Sequence, residues 1–185
     1  MRPQRLAKTL VAIGICIGLS VQSRAQNFTI PANTSCVVKL AGIQFNCPVG
    51  WKIVEENDRG TTIGDFDRPD KTGNLTIPSG RGSLTVYRMP KIYRSFKEWV
   101  YAATKNAPEA IRTDVTLTNK TVGPVNVVCF TSPDSQRGLI YASYFFEITT
   151  TPVNIELHYQ RTSPRASEYR TTPIRIIESL EPYRP

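Results

Sequence analysis

The sequence predicts an α+β fold in which an antiparallel β-sheet is flanked by helices, as an α/β/α sandwich. Short alternating or apolar runs that are typical of strands fill most of the chain after residue 35. A capped amphipathic helix interrupts these runs once, and helical signals close the chain. Strands and helices that occur in separate stretches, without strict alternation, are typical of α+β folds.

The first 25 residues are typical of a secretory signal peptide. Three basic residues precede an apolar run (Leu10–Leu19) that is too short for a comfortable membrane span, and the small residues Ser23 and Ala25 follow at the −3 and −1 positions. An uncleaved anchor is the alternative interpretation. We expect cleavage after Ala25, export to the periplasm or the medium, and one mature domain of residues 26–185.

The charge of the mature domain argues against nucleic acid as a partner. Four of the 23 basic residues lie in the signal peptide, so 19 remain against 15 acidic residues and the net charge falls from +8 to +4. An excess of this size does not by itself indicate nucleic-acid binding. We also expect no transmembrane segment after cleavage, and the sequence does not predict an oligomeric state.

Cys36 and Cys47 bound the run CVVKLAGIQFNC, which is compatible with a disulfide, a metal pair or a redox site. Export favours the disulfide, and a zinc site would need four ligands in a chain whose only histidine is His158. Cys129 is then left over, and we expect it to be a buried small hydrophobic residue.

The N-terminal half is predicted to begin with a hairpin around Ala41 and Gly42. If these two residues are central, Cys36 and Cys47 lie directly opposite each other, whereas a three-residue loop with Gly42 bulged would place them on opposite faces. The predicted strands of this half are Val37–Leu40, Ile43–Cys47, Trp51–Glu56, Thr61–Phe66 and Ser83–Met89, with a surface loop at Asp67–Gly80.

A helix is predicted from Ser95 to near Asn106. Ser95 and Glu98 have the spacing of a capping box, in which each side chain bonds the backbone N–H of the other residue. The helix carries an apolar stripe at helical spacing, formed by Phe96, Trp99, Val100 and Ala103.

The C-terminal half is predicted to contain four strands and two closing helices. Ser163-Pro164 and Thr172-Pro173 each place a capping residue before a proline, which is typical of a helix start. The run LIYASYFFEI, apolar on both faces, indicates a central strand. The predicted strands are Thr113–Asn119, Val122–Thr131 with its regular part from Val125, Leu139–Thr149 and Val153–Arg161.

The order of these elements and several short motifs resemble the PsbP-like superfamily, which includes the PsbP proteins of photosystem II, Ran-binding import factors and exported bacterial proteins. The run Gly42–Trp51 is similar to the family opening G-x-x-F-x-x-P-x-x-W, and the helix SFKEWVYAA, the hairpin around Thr150–Pro152 and the closing IRIIESLEP also resemble family elements. The resemblance implies an α/β/α sandwich that usually binds other proteins and has no shared catalytic apparatus. The cysteine pair departs from the photosystem proteins, and the resemblance assigns no site residue.

No catalytic, metal or cofactor site is predicted. His158 alternates with apolar residues on its strand, so we expect it on the polar face of the sheet. The acidic run Asp65–Asp70 fails the calcium-loop pattern because Thr76 stands where the bidentate glutamate belongs, which favours an acidic surface turn. The glycine-rich Ser79–Ser83 lacks the ending of a phosphate loop and is interpreted as a flexible entry to the next strand.

The segment RMPKIYRSFK contains the best candidate surface. Its basic residues recur every three positions around one tyrosine, and we name them together the basic patch: Arg88, Lys91, Tyr93, Arg94 and Lys97. Such a patch suits an acidic protein surface, with arginine supplying forked hydrogen bonds. A solvated basic edge that prevents strand pairing is the alternative.

The predicted function is an exported, non-catalytic binding or accessory protein that acts through protein–protein interaction. Two alternatives stay open: an envelope inhibitor or immunity-type protein, and an exported hydrolase that uses carboxylates in a cleft. Four Asn-x-Ser/Thr sequons matter only in a eukaryotic secretory pathway: Asn27, Asn33, Asn74 and Asn119.

Overall fold

The strands of the computed structural model form two antiparallel sheets. It describes residues 35–66, 77–107, 109–134 and 138–183, without the side chains of 133 and 134. The signal peptide, the sequons at Asn27, Asn33 and Asn74, and most of the acidic run lie outside these residues. The strands are β1 Ser35–Val38, β2 Ile43–Asn46, β3 Lys52–Glu56, β4 Gly60–Gly64, β5 Gly82–Arg88, β6 Ile111–Asn119, β7 Gly123–Asp134, β8 Leu139–Ile148, β9 Thr151–Gln160 and β10 Glu181–Pro182; the helices are α1 Phe96–Asn106 and α2 Ala166–Ser179.

The main sheet has seven strands in the order β3-β4-β5-β9-β8-β7-β6, and β1, β2 and β10 form the small sheet. The strand predicted to be central, β8, lies between β9 and β7 as its two apolar faces require. Regular pairing in β7 begins at Gly123, two residues before the expected Val125 and within the predicted strand Val122–Thr131. Gly123, at φ +83°, turns the chain directly into pairing with Asn119, and Pro124 pairs with Thr118.

The two helices pack against opposite faces of the main sheet. Trp99 and Val100 of α1 pack against Phe130 and Phe145 of β7 and β8. On the other side, Tyr169 of α2 lies 5.6 Å, between ring centroids, from Tyr159 of β9. Side chains alternate between the two faces of a strand, and the strand register places Phe145 and Tyr159 on opposite faces of the sheet. The α/β/α arrangement predicted from the sequence is therefore confirmed.

The first hairpin has a register that neither expected loop describes. A 3₁₀ turn at Lys39–Ala41 and Gly42 at φ +63° close it, and Cys36 pairs with Phe45. This offset of two residues from direct opposition keeps Cys36 and Cys47 on one face. The disulfide joins Cα atoms that are 5.1 Å apart, and Cys47 lies just beyond the end of β2.

The chain closes with one α-helix, so the expectation of two separate helices was wrong. Pro173 lies inside α2, and Thr172 does not cap a helix because its hydroxyl donates to the Glu168 carbonyl at 2.9 Å. Proline inside a helix costs about 3 kcal/mol. Tyr169 and Ile177, on either side of Pro173, are both fully buried, and packing of this continuous face offsets that cost.

Asn119 joins the β6–β7 turn to the end of α2. Its side-chain amide donates to the carbonyls of Ile177 and Leu180 at 2.6 and 2.9 Å. The side-chain oxygen accepts the backbone N–H groups of Thr121 and Val122 at 2.8 and 2.9 Å. Since the residue is only 1% exposed, the folded chain has no room for a glycan at this sequon.

Candidate functional site

The helix α1 begins at the predicted capping residue. Ser95 Oγ accepts the Glu98 N–H at 3.2 Å, as expected. The Glu98 carboxylate reaches one residue further back than a capping box requires and accepts the Arg94 N–H at 2.8 Å. This cap fixes the start of α1, which packs against Phe130 and Phe145 of the main sheet, and with it the C-terminal part of the basic patch.

The structure divides the basic patch into an exposed part and a packed part. The side chains of Arg88, Lys91, Arg94 and Lys97 are exposed. Tyr93 instead lies half-buried against Trp99, with 6.5 Å between the ring centroids and 25° between the planes, so it belongs to the apolar cluster under α1.

Ile92, which no pattern in the sequence marked as a site residue, lies within this segment and is 77% exposed. An isoleucine that follows a lysine in a loop, outside any periodic apolar pattern, is the sequence signal that could have indicated this surface position. It adds an apolar contact to the charged patch.

A cleft of about 940 Å³ lies between α1 and the main sheet. Trp99 and Ala103 of α1 form one wall, and Phe130 and Phe145 lie on the sheet side. Basic residues also line it: Arg59 from the β3–β4 turn, and Arg88 and Lys91 from the patch. The patch and the cleft are therefore one continuous surface.

Three adjacent strands bring a polar cluster to the sheet side of this cleft. Glu156 of β9 pairs with Thr85 of β5 and with Ser143 of β8, and Tyr87 and Tyr141 lie diagonally across from it. We name Tyr87, Tyr141 and Glu156 the floor cluster. Sequence reasoning missed it because the alternation of β9 identified Glu156 only as a residue of the polar face.

Burial and the Glu156 carboxylate raise the pKa of both tyrosines of the floor cluster. Burial first, and then the charge of Glu156, raise the pKa of Tyr87 to about 12. The same two causes also raise the pKa of Tyr141. Hydrogen bonding to Glu156 contributes to the rise of both pKa values.

We expect Tyr87 and Tyr141 of the floor cluster, together with Tyr169 of α2, to ionise at a higher pH than an ordinary tyrosine. Burial, followed by hydrogen bonding to Asp65, also raises the pKa of Tyr169 to about 12. Because the pKa values of these tyrosines are raised in the folded chain, their protonated hydroxyls contribute a stabilisation that is complete below about pH 10. This stabilisation is lost as the pH rises through about 12. Ultraviolet absorbance should show Tyr87, Tyr141 and Tyr169 ionising above the ordinary tyrosine range, with a parallel fall in the free energy of unfolding. Loss of part of this late component in the Tyr87→Phe variant identifies the share of Tyr87, and a tyrosine titration without any component above about pH 10 would contradict the assignment.

His158 lies on the polar face of β9, as expected. Its ring packs edge-on against Tyr141, with 4.7 Å between centroids, and its Nε2 lies 3.9 Å from Glu156 Oε2. Within the described ranges no three histidine, cysteine or acidic side chains converge as a metal-binding group. Cys129 is buried in β7, where its sulfur lies 3.8 Å from Thr131 Oγ1.

Asp65 belongs to a buried network, so the expectation of an acidic surface turn was wrong for this residue. Its carboxylate accepts the Tyr169 hydroxyl at 2.7 Å and the Gly82 N–H at 3.0 Å, and it pairs with Arg165. The start of α2 lies over the end of β4 and buries the side chain to 1% exposure. Gly82 has a packing role, since a Cβ there would lie 3.0 Å from the Tyr169 ring.

The part of the chain that the structure describes contains no helix long and apolar enough to cross a bilayer. No family model matches the sequence, and no curated protein matches it.

Several solved structures are similar to the chain, among them the following two. A crystal structure from Bacteroides thetaiotaomicron VPI-5482 has 14% identity and a TM-score of 0.43, and the match covers 81% of this chain and 48% of that one. This chain therefore spans about half the length of the Bacteroides protein. The solution structure of cyanobacterial PsbP (CyanoP) from Synechocystis sp. PCC 6803 has 11% identity and a TM-score of 0.46, and the match covers 88% of this chain and 99% of that one.

Proposed function

We propose that the chain is an exported, non-catalytic binding or accessory protein whose basic patch docks an acidic surface of a partner protein. The observation that carries the proposal is the exposure of four basic side chains within ten residues, 88–97, around the exposed Ile92. Charged groups around an apolar contact suit a specific interface, since charge complementarity steers encounter and apolar burial supplies affinity. The Cys36–Cys47 disulfide supports export, because such bonds persist in oxidising compartments.

Charge reversal of the patch tests the docking proposal. We expect the triple variant Arg88→Glu, Lys91→Glu, Arg94→Glu to weaken capture of the native partner at least about tenfold, because like charges across an interface repel. The matched control reverses three exposed basic residues elsewhere, Lys120→Glu, Arg161→Glu and Arg175→Glu, and should retain the partner.

Two outcomes would contradict this function. Equal loss in the patch variant and the control would indicate a general charge effect and not a docking surface. Hydrolysis of a panel substrate that disappears in the Glu156→Gln variant would replace the binding function with that of a cleft carboxylate enzyme.

A further inference from the structure

The edge of the main sheet at β6 is long, regular and open on its outer side. β6 ends the strand order, and among the strands that the structure describes it pairs with β7 alone. Its nine residues pair in one continuous register, from Ile111 opposite Thr131 to Asn119 opposite Gly123. An edge strand of this kind presents a row of free backbone N–H and C=O groups to any further strand.

Pro124 of β7 shows which backbone groups of β6 point outward. It pairs with Thr118 but has no N–H to donate, so this pair is of the non-hydrogen-bonded type. Hydrogen-bonded and non-hydrogen-bonded pairs alternate along an antiparallel ladder. Arg112 and Asp114 lie an even number of residues from Thr118, so their N–H and C=O groups are directed away from β7 and toward the open edge.

The central sequence of this edge, IRTDV, is complementary to itself when it is read in the opposite direction. From Ile111 to Val115 it runs apolar, basic, threonine, acidic, apolar. The side chains of Arg112 and Asp114 lie on one face of the strand and are 47% and 62% exposed. Ile111 lies on the other face and is 44% exposed. Both faces of the edge therefore offer side chains to a partner strand.

A second copy of the chain, turned about a two-fold axis at Thr113, matches every one of these features. Each Arg112 then lies opposite the partner's Asp114, and each Ile111 lies opposite the partner's Val115. Cross-strand pairs of opposite charge, of threonines and of apolar residues all stabilise a sheet. A shift of two residues in either direction would place Asp114 opposite Asp114, or Arg112 opposite Arg112, which destabilises the pair.

We propose that two copies of the chain associate through antiparallel pairing of their β6 strands, with Thr113 at the axis, so that the two main sheets become continuous. The ion pair of Arg112 with Asp114 at 2.9 Å within each copy is compatible with this arrangement, because two arginines and two carboxylates then alternate around the axis. Such an isologous contact, confined to one strand of each copy, is small, so the association is weak and depends on concentration. It involves no residue of the basic patch.

Sedimentation equilibrium of the purified protein tests the proposal. We expect the weight-average mass to rise from that of one chain toward that of two between about 10 µM and 1 mM, the range of weak association. Asp114→Arg and Arg112→Asp should each weaken the association at least about tenfold, because like charges then face each other twice. Glu147→Arg makes the same change of charge at an exposed position of β8 and should associate as the native chain does.

The exchanged pair of charges separates the proposed register from a general effect of charge. The double variant Arg112→Asp with Asp114→Arg keeps the net charge and the complementarity, so its association should return to the native strength. An equimolar mixture of the two single variants should associate more strongly than either variant alone, since their β6 strands carry opposite charges. Unfolding at about 1 µM, where the copies are separate, should stay close to native for all of them, because exposed ion pairs contribute little to stability.

Three results would overturn this interface. The first is a protein that sediments as one chain at about 1 mM. The second is a single variant that associates as strongly as the native chain. The third is a double variant that remains as weak as the single variants, because its charges are again complementary in the proposed register.

Discussion

The Asp65→Ala variant is expected to lose about 3–5 kcal/mol of unfolding free energy, because removal of one member of a buried charged network leaves the others without a partner. The Tyr169 hydroxyl and the Gly82 N–H would then be buried without their acceptor. Arg165 would keep Glu168 but lose the charge beneath it. Since small domains have about 5–15 kcal/mol in total, urea denaturation should show a large shift of the midpoint.

Asp114→Ala is the matched control for this effect. Asp114 also pairs with an arginine, Arg112, at 2.9 Å, but its side chain is 62% exposed. Exposed ion pairs contribute roughly 0–1 kcal/mol, so the control should unfold almost as the native chain does. Similar losses in both variants would show that Asp65 does not act through its buried partners.

The Trp99→Ala variant is expected to lose a comparable 3–5 kcal/mol or so, as truncation of a buried aromatic side chain usually does. Trp99 is 7% exposed and lies edge-on to Phe145, with 5.0 Å between ring centroids. The indole also supports Tyr93 on its other side. Its removal leaves a cavity between α1 and the main sheet and weakens the attachment of the helix.

The same helix provides the control for Trp99. Tyr101 is 69% exposed, so Tyr101→Ala should change the free energy of unfolding by no more than about 0.5 kcal/mol. Thermal unfolding of both variants separates burial from a general loss of aromatic residues in α1. An equal effect at the two positions would indicate that α1 is not held by Trp99.

Local patterns predicted the elements of the fold well where one chemical signal dominated. Ser95 is the N-cap of α1 because its hydroxyl accepts the backbone N–H of Glu98, which has no backbone partner at the start of the helix. The prediction at Pro173 was wrong because proline directly after a capping residue is typical of the first position of a helix. Only the tertiary contacts of Tyr169 and Ile177 keep the helix continuous through it.

The candidate site was less predictable because it depends on strand pairing. Glu156 meets the two tyrosines only through the register of β5, β9 and β8. The β8–β9 turn contains Thr149 at φ +59° and no Asn-Gly or Gly-Gly pair that would have fixed this register from the sequence. Asp65 shows the same limit, since its partners Arg165 and Tyr169 are a hundred or more residues away along the chain.

The four hydrogen bonds of Asn119 have a practical consequence for making this protein. In a eukaryotic expression host, the oligosaccharide would be attached to Asn119 during synthesis, before the amide reaches Ile177 and Leu180. A chain modified in this way could not bring the end of α2 to the β6–β7 turn, and yield would fall. Thr121→Ala removes the acceptor sequence while it keeps the backbone N–H that Asn119 accepts, so it allows production in such a host with the native contacts intact.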